Sequence, residues 1–521
     1  MSRPDPHTPV LVGVGQSSER LDDPGYRGRS PVELGADAAR AALTDTGADP
    51  ATVAARIDLV AAVRQFEASA PGAVAPLGAS DNYPRSVAAR IGATPRTAVL
   101  EVVGGQSPQR LVTEAAAAIA AGEVDAALVV GAEAMSTVRH LLTALDEADR
   151  PDFTEHVGGQ LDDRGLGLDT FIVPEQVEHD VLAPVLQYAL FEHARRARLG
   201  LSRDACRREM AELFAPFSAV AARHPHAAAP TARTVDELAT PTAENRPITD
   251  PFLRFSVARE QVNQGAAVVL TAAGVADDLG ITDDRRVYLH GHADLVEPPV
   301  LHRADLGSSP ATEGAVRQAL GLAGIGVDDL ATLDLYSCFP IAVRVVTDAL
   351  GIAAQDPRGL TVTGGLPFFG GPGNDYSLHA IADTVTALRA RPGTFGLVGA
   401  NGGALHKYSA GVYSTRPAAW AAGDDAAAQA EVDAVHDRHA PETVGRADGD
   451  ATVETYTVEY ERDGRPRGGV VVGRLRDGGR RFLSRVAPDD TATLAMLTDD
   501  DPLGRAVRVT SDENGNRVAA T

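Results

Sequence analysis

The chain has 521 residues, enough for two or three domains, and its 44% hydrophobic content suits a protein with a full core. Lys and Arg number 48 against 71 Asp and Glu, and the resulting net charge of −23 argues against nucleic acid and anionic membrane as partners. The two cysteines, Cys206 and Cys338, exclude a disulfide framework, and the absence of an apolar signal run or an 18-residue apolar stretch predicts a cytoplasmic protein.

In chain order, an apolar strand at Val10–Val14 leads to a helix opened by Ser30-Pro31, a cap and first-turn pair, and then to the buried strand IDLVAAV. VLEVVGGQSPQR follows: a strand breaks on a glycine pair and a long Ala-rich helix begins, with Ser107 expected as its N-cap. A further apolar strand ends in GAEA. Residues 136–255 form an excursion containing two helical runs, on the second of which Cys206 reads as exposed and incidental. The chain then re-enters a strand at GAAVVLTAA. From Val287 the plan repeats. Ser309 follows Ser30 by 279 residues, Gly399 follows Gly131 by 268, and Gly373 follows Gly105 by the same 268. Two related halves of β-α-β units with largely parallel sheets are expected. After Tyr413 comes a linker with one amphipathic helix. Residues 451–521 turn β-rich, with a hairpin at Asp463-Gly464, and predict a small separate barrel or sandwich.

Three segments of the second half carry chemistry: LDLYSCFP (333–340), GGLPFFGGPGND (364–375) and GLVGANGGALHKYSAGVYS (396–414). With the duplicated halves and NRPITDP, they resemble the thiolase superfamily, most closely the sterol-carrier-protein type and actinobacterial thiolase-like proteins with an extra C-terminal domain. The resemblance implies an α/β fold of two βαβ-type halves in five αβαβα layers. The implied boundaries are 1–135 with 256–283 for the N-terminal half, 136–255 for the inserted loop domain and 284–415 for the C-terminal half. A linker at 416–450 and an OB-like β domain at 451–521 follow. It also implies acyl-CoA as substrate, no permanently bound cofactor, a role in lipid metabolism, and a homodimer through the core, a face that the appended domain could instead block.

Carried over residue by residue, the position of the family's nucleophilic cysteine falls on Gly105, and the activating histidine of its Gly-His-Pro motif falls on Leu366. Ser107 is the nearest hydroxyl and has no base beside it. Cys338 falls on the second catalytic cysteine of the sterol-carrier type, with Tyr336 in place of a His or Asn that helps hold the thioester oxygen; the alternative for Cys338 is a small buried apolar residue. Asn401 matches the last family motif, in which Gly402 and Gly403 let backbone approach the substrate. Gly105 and Gly371 complete the substrate-binding set. Lys407, the one lysine of the chain, would bind a CoA phosphate, donate a proton or cap buried carbonyls, and Tyr408 follows it as a departure from the family. His290, His292 and His379 lack metal-ligand spacing, and no metal site is expected. Three activities stay open: an acyltransferase of the acetyl-CoA acetyltransferase type, a retro-aldol lyase on a 3-hydroxyacyl-CoA that needs no covalent nucleophile, and a non-catalytic CoA-ester-binding protein.

Overall fold

The structure, a computed structural model, describes residues 5–168, 172–499 and 501–521. The first half contributes β1 (Pro9–Ser18), β2 (Leu59–Ala62), β3 (Thr97–Leu100), β4 (Ala126–Ala134) and the two-residue β5 (Asp162–Asp163). The excursion carries β6 (Pro247–Thr249) and β7 (Phe252–Leu253), and the chain returns in β8 (Asn263–Ala272). Six of these form one sheet in the order β1-β8-β4-β2-β3-β5. The second half builds a four-stranded sheet from β9 (Tyr288–Val296), β10 (Leu330–Leu335), β11 (Phe395–Gly402) and β12 (Lys407–Ser414), in the order β10-β11-β12-β9.

The two halves repeat one pairing scheme. β1–β8 and β9–β12 are antiparallel, β8–β4 and β12–β11 are antiparallel, and β4–β2 and β11–β10 are parallel. The sheets are therefore mixed, not largely parallel as expected: the last strand of each half reverses and inserts between two earlier ones, β8 between β1 and β4 and β12 between β9 and β11. Both predicted caps form: the Ser30 side chain accepts from Glu33 N while the Glu33 carboxylate accepts from Ser30 N, and Ser309 caps the helix Pro310–Ala323. The helices Ser107–Ala120 and Tyr376–Ala390 pack against each other, with most of their residues buried. Two expectations fail locally. Ser107 is the first helical residue and Gln106 occupies the cap position, because the Ser107 hydroxyl donates back to Val102 O at 2.7 Å. Cys206 is 1% exposed: its helix, Arg203–Ala221, turns it inward against the core.

The C-terminal part contains β13 (Gly449–Tyr460), β14 (Pro466–Leu475), β15 (Arg481–Val486), β16 (Ala506–Asp512) and β17 (Gly515–Ala520), with one helix, Thr491–Asp499. Pairings β13–β14, β14–β15, β15–β17, β17–β16 and β16–β13 close a five-stranded barrel. The barrel is not separate, as expected, but fused to the excursion. Glu459 of β13 pairs with Thr249 of β6, and Asp250 N donates to Val458 O at 2.8 Å. The seam is polar and hydrogen-bonded. Tyr456 Oη donates to Asp250 Oδ2 (3.0 Å), Arg196 pairs with Asp501 (2.8 Å), and the fully buried Arg481 donates to Leu301 O (2.9 Å) and Glu454. Buried charges of this kind are tolerated because every one is partnered.

Candidate functional site

The site is built where the repeat brings its two copies together. Gly104, at φ +139°, is in a region that side chains avoid, and its N–H donates to Asn374 Oδ1 at 2.9 Å. Asn374 is held in turn by donating to Arg64 O (2.8 Å) and Ser69 Oγ (3.0 Å). The next carbonyl, of Gly105, accepts from Ser377 Oγ. The Gly105 loop of the first half thus rests on the start of helix Tyr376–Ala390, the matching position of the second.

The space above Gly105 is taken. A Cβ placed there would lie 2.5 Å from Cζ and 2.6 Å from Cε2 of Tyr336, and closer still to its hydroxyl. The Tyr336 ring is fixed edge-on against Tyr376, with centroids 5.4 Å apart and planes at 86°. Its hydroxyl makes no hydrogen bond to any described residue. Burial, with Cys338 beside it, pushes the phenol well above its ordinary value, so it stays protonated.

Cys338 is 8% exposed, and its Sγ lies 3.8 Å from Asn401 Nδ2. Burial raises its thiol to about 12, so it is a protonated thiol at neutral pH. A nucleophilic or proton-abstracting cysteine needs the opposite environment, a cationic and accessible one. Asn401 Nδ2 donates to Tyr188 Oη at 2.6 Å, while its Oδ1 has no partner. Tyr188 donates to Gly403 O at 2.7 Å, accepts from Leu405 N at 3.3 Å, and stacks on Phe339 at 4.4 Å. Sequence reasoning missed Tyr188. It sits in helix Pro184–Leu199 among Leu, Ala and Phe, a pattern indistinguishable from core.

Gly371 and Leu366 form a wall: a Cβ on Gly371 would touch Leu366 Cδ2 at 3.4 Å. Leu366 is 2% exposed and brings no titratable proton to this wall. Gln106 lies over Gly402, whose added Cβ would come 2.8 Å from Gln106 Cδ. Lys407 lies beyond that amide, in a cavity of about 270 Å³ shared with Arg110 and Asp294. Its Nζ donates to Gly167 O (2.8 Å) and Val103 O (3.3 Å), and burial with Arg110 nearby lowers its pKa. Tyr408 points away under Gly399, its hydroxyl buried without a partner. Burial also holds His406 down at about 3, hence neutral. The structure gathers Gly105, Tyr336, Cys338, Asn401, Gly402 and Gly403 into one centre, sets Gly371 at its wall and places Lys407 and Tyr408 outside it. Among the described residues no cluster of three His, Cys, Asp or Glu could hold a metal ion, and no helix is long and apolar enough to cross a membrane.

Duplicated mixed sheets around two central helices, with a loop excursion and a glycine-rich centre, define a thiolase-fold protein. Solved structures agree. Over its full length, and over the full length of the other chain, the protein is 48% identical to a monomeric SCP2-thiolase like protein type 1 from Mycobacterium smegmatis, with a TM-score of 0.84. The chain belongs to this SCP2-thiolase-like protein type 1 family. Residues 429–514 match the family described as the thiolase-like protein type 1 additional C-terminal domain. More distant matches share the fold over 78% of this chain: the human mitochondrial 3-ketoacyl-CoA thiolase (17% identity, 99% of that chain, TM-score 0.55) and the Ltp2-ChsH2(DUF35) aldolase (18%, 98%, 0.56). No curated protein sequence matches the chain.

Proposed function

We propose that this protein binds a CoA thioester at the Gly105–Tyr336–Asn401 centre and forms no acyl-enzyme there. One observation carries the proposal: the phenol of Tyr336 fills the volume that a nucleophilic side chain at position 105 would need. The rest is consistent with it. Covalent catalysis requires a nucleophile activated by a base within hydrogen-bond reach. Here Gly105 and Leu366 remove both, and Cys338 is a protonated thiol. What the centre keeps is a capacity to hold an oxygen. The Tyr336 O–H donates to no described residue and lies against the Gly105 backbone, and such a free donor is the kind of group that polarises a thioester carbonyl.

A second reading, retro-aldol cleavage of a 3-hydroxyacyl-CoA, is favoured by the same free, protonated phenol, which would serve as the acid that protonates the departing enolate carbon. It also needs a base for the hydroxyl, and no group at the centre has a pKa near neutrality. Binding is therefore the better-supported activity.

Calorimetric titration with acetyl-CoA tests this. The protein is expected to bind, and Tyr336→Phe to bind roughly 5- to 10-fold more weakly, the loss of about 1 kcal/mol from one hydrogen bond. Equal affinity of the two proteins would remove Tyr336 from the site. Cleavage of a branched 3-hydroxyacyl-CoA, followed in parallel, would replace binding with the lyase reading.

A further inference from the structure

Beside the centre runs a cavity of about 380 Å³, bounded by the end of β1, the start of β8 and the segment 226–230, with Arg259 on its wall. The backbone of Arg259 belongs to the thioester centre. Its N–H donates to Leu366 O at 3.0 Å, its carbonyl accepts from Gly371 N at 2.8 Å, and the preceding Ala258 N donates to Cys338 O at 2.9 Å. One residue thus joins the two spaces.

The guanidinium of Arg259 has no counter-ion. Its Nε is buried without a hydrogen-bond partner. The charges that act on it are cations only: Arg254, whose guanidinium makes one hydrogen bond, to a backbone carbonyl at 3.5 Å, and Arg233, stacked on Phe255 at 3.7 Å. None of the three forms an ion pair with a described residue. Arg259 is half-buried, in a chain with 71 acidic residues where most buried arginines are paired. The cavity's own carboxylates do not answer the charge. Glu19 is committed to the N–H groups of Arg27 and Arg29, and Asp22 is exposed at the rim. An unpaired, partly desolvated arginine among like charges is costly, and an oxyanion relieves it through charge-assisted, two-pronged hydrogen bonds. Gln264 and Asn263 also line the cavity, but their amide N–H groups already donate to His226 O, Phe369 O and Glu19 O, so the charge at the site is that of Arg259.

We infer that the cavity at Arg259 is an oxyanion subsite of the bound ligand, taking a carboxylate or phosphate group carried by it. The inference rests on the thioester-binding proposal for its ligand but not for its chemistry, so free anions test it independently. Calorimetry at low ionic strength with inorganic phosphate and with glutarate is expected to show binding to the intact protein, and Arg259→Gln to weaken it tenfold or more. Phosphate should also protect Arg259 of the wild-type protein from phenylglyoxal, read by peptide mass mapping, which needs no variant to fold. Undiminished anion binding by Arg259→Gln, no anion binding by the wild type, or no protection overturns the inference. With thioesters, a loss confined to malonyl-CoA and absent for acetyl-CoA places the anion on the acyl group. Equal loss for acetyl-CoA and free CoA places it on a CoA phosphate. Anion binding at Arg259 without any CoA-ester binding would uphold the subsite and remove the thioester.

Discussion

A Cβ at position 105 has no room while Tyr336 keeps its place, so Gly105→Ala is expected to destabilise the protein by about 2 kcal/mol, within the range for overpacking a core. In a Tyr336→Ala background the same change should cost little, and a double-mutant cycle from chemical denaturation measures the difference. Additive costs would mean that the two residues do not share the space. A second residue-scale consequence lies at Glu133. It is 2% exposed, accepts from Phe66 N at 2.7 Å, and is raised by burial to about 8 from an ordinary 4.5. Between those values the unfolded chain has released the proton and the folded one has not. Stability from this group is complete below about pH 4.5 and is lost progressively as pH rises through 8. The melting temperature of Glu133→Gln should therefore fall less than that of the wild type between pH 5 and pH 8.5. Parallel curves would show that Glu133 does not titrate there.

At the scale of elements, β3 would be the open edge of the first sheet were it not for β5. Two residues from the excursion pair with it, Val99 with Asp162 and Leu100 with Asp163, and both aspartates are exposed. A covered, charged edge does not invite a second copy. Thiolase resemblance implied a dimer through the core. This geometry covers one edge open to such pairing, and light scattering behind size exclusion is expected to give 54.2 kDa; a doubled mass would show that another face pairs. Such details mark what the sequence could and could not carry. The Ser30–Glu33 capping box, the Ser309 cap and the turn at Gly464 are encoded within four residues, so local pattern reveals them. The 268-residue spacing of Gly105 and Gly373 exposed the duplication. The reversal of β8 and β12 between their neighbours was not visible, because a strand's apolar pattern does not encode its direction. Nor was the burial of Cys206, whose arginine-rich helix reads as a surface.

Across the whole molecule, the parts of the site come from distant stretches: Gly105 from one half, Tyr336 and Asn401 from the other, Tyr188 from the excursion. Motifs in the halves could be recognised. Tyr188 could not, since a tyrosine among aliphatic helix residues carries no mark of the asparagine it will meet. The barrel's attachment was hidden for the same reason. Thr455 and Thr457 donate to Leu190 O and Asp250 O, contacts spanning more than 200 residues. The function we propose is that of a thiolase fold whose centre holds an oxygen and forms no acyl-enzyme. Mass spectrometry tests that claim most directly: the protein is incubated with a 3-ketoacyl-CoA and free CoA, and both the intact chain and the CoA species are weighed. An unmodified chain and an unshortened thioester are predicted. An acyl adduct on any residue, or acetyl-CoA with a thioester two carbons shorter, would contradict the account.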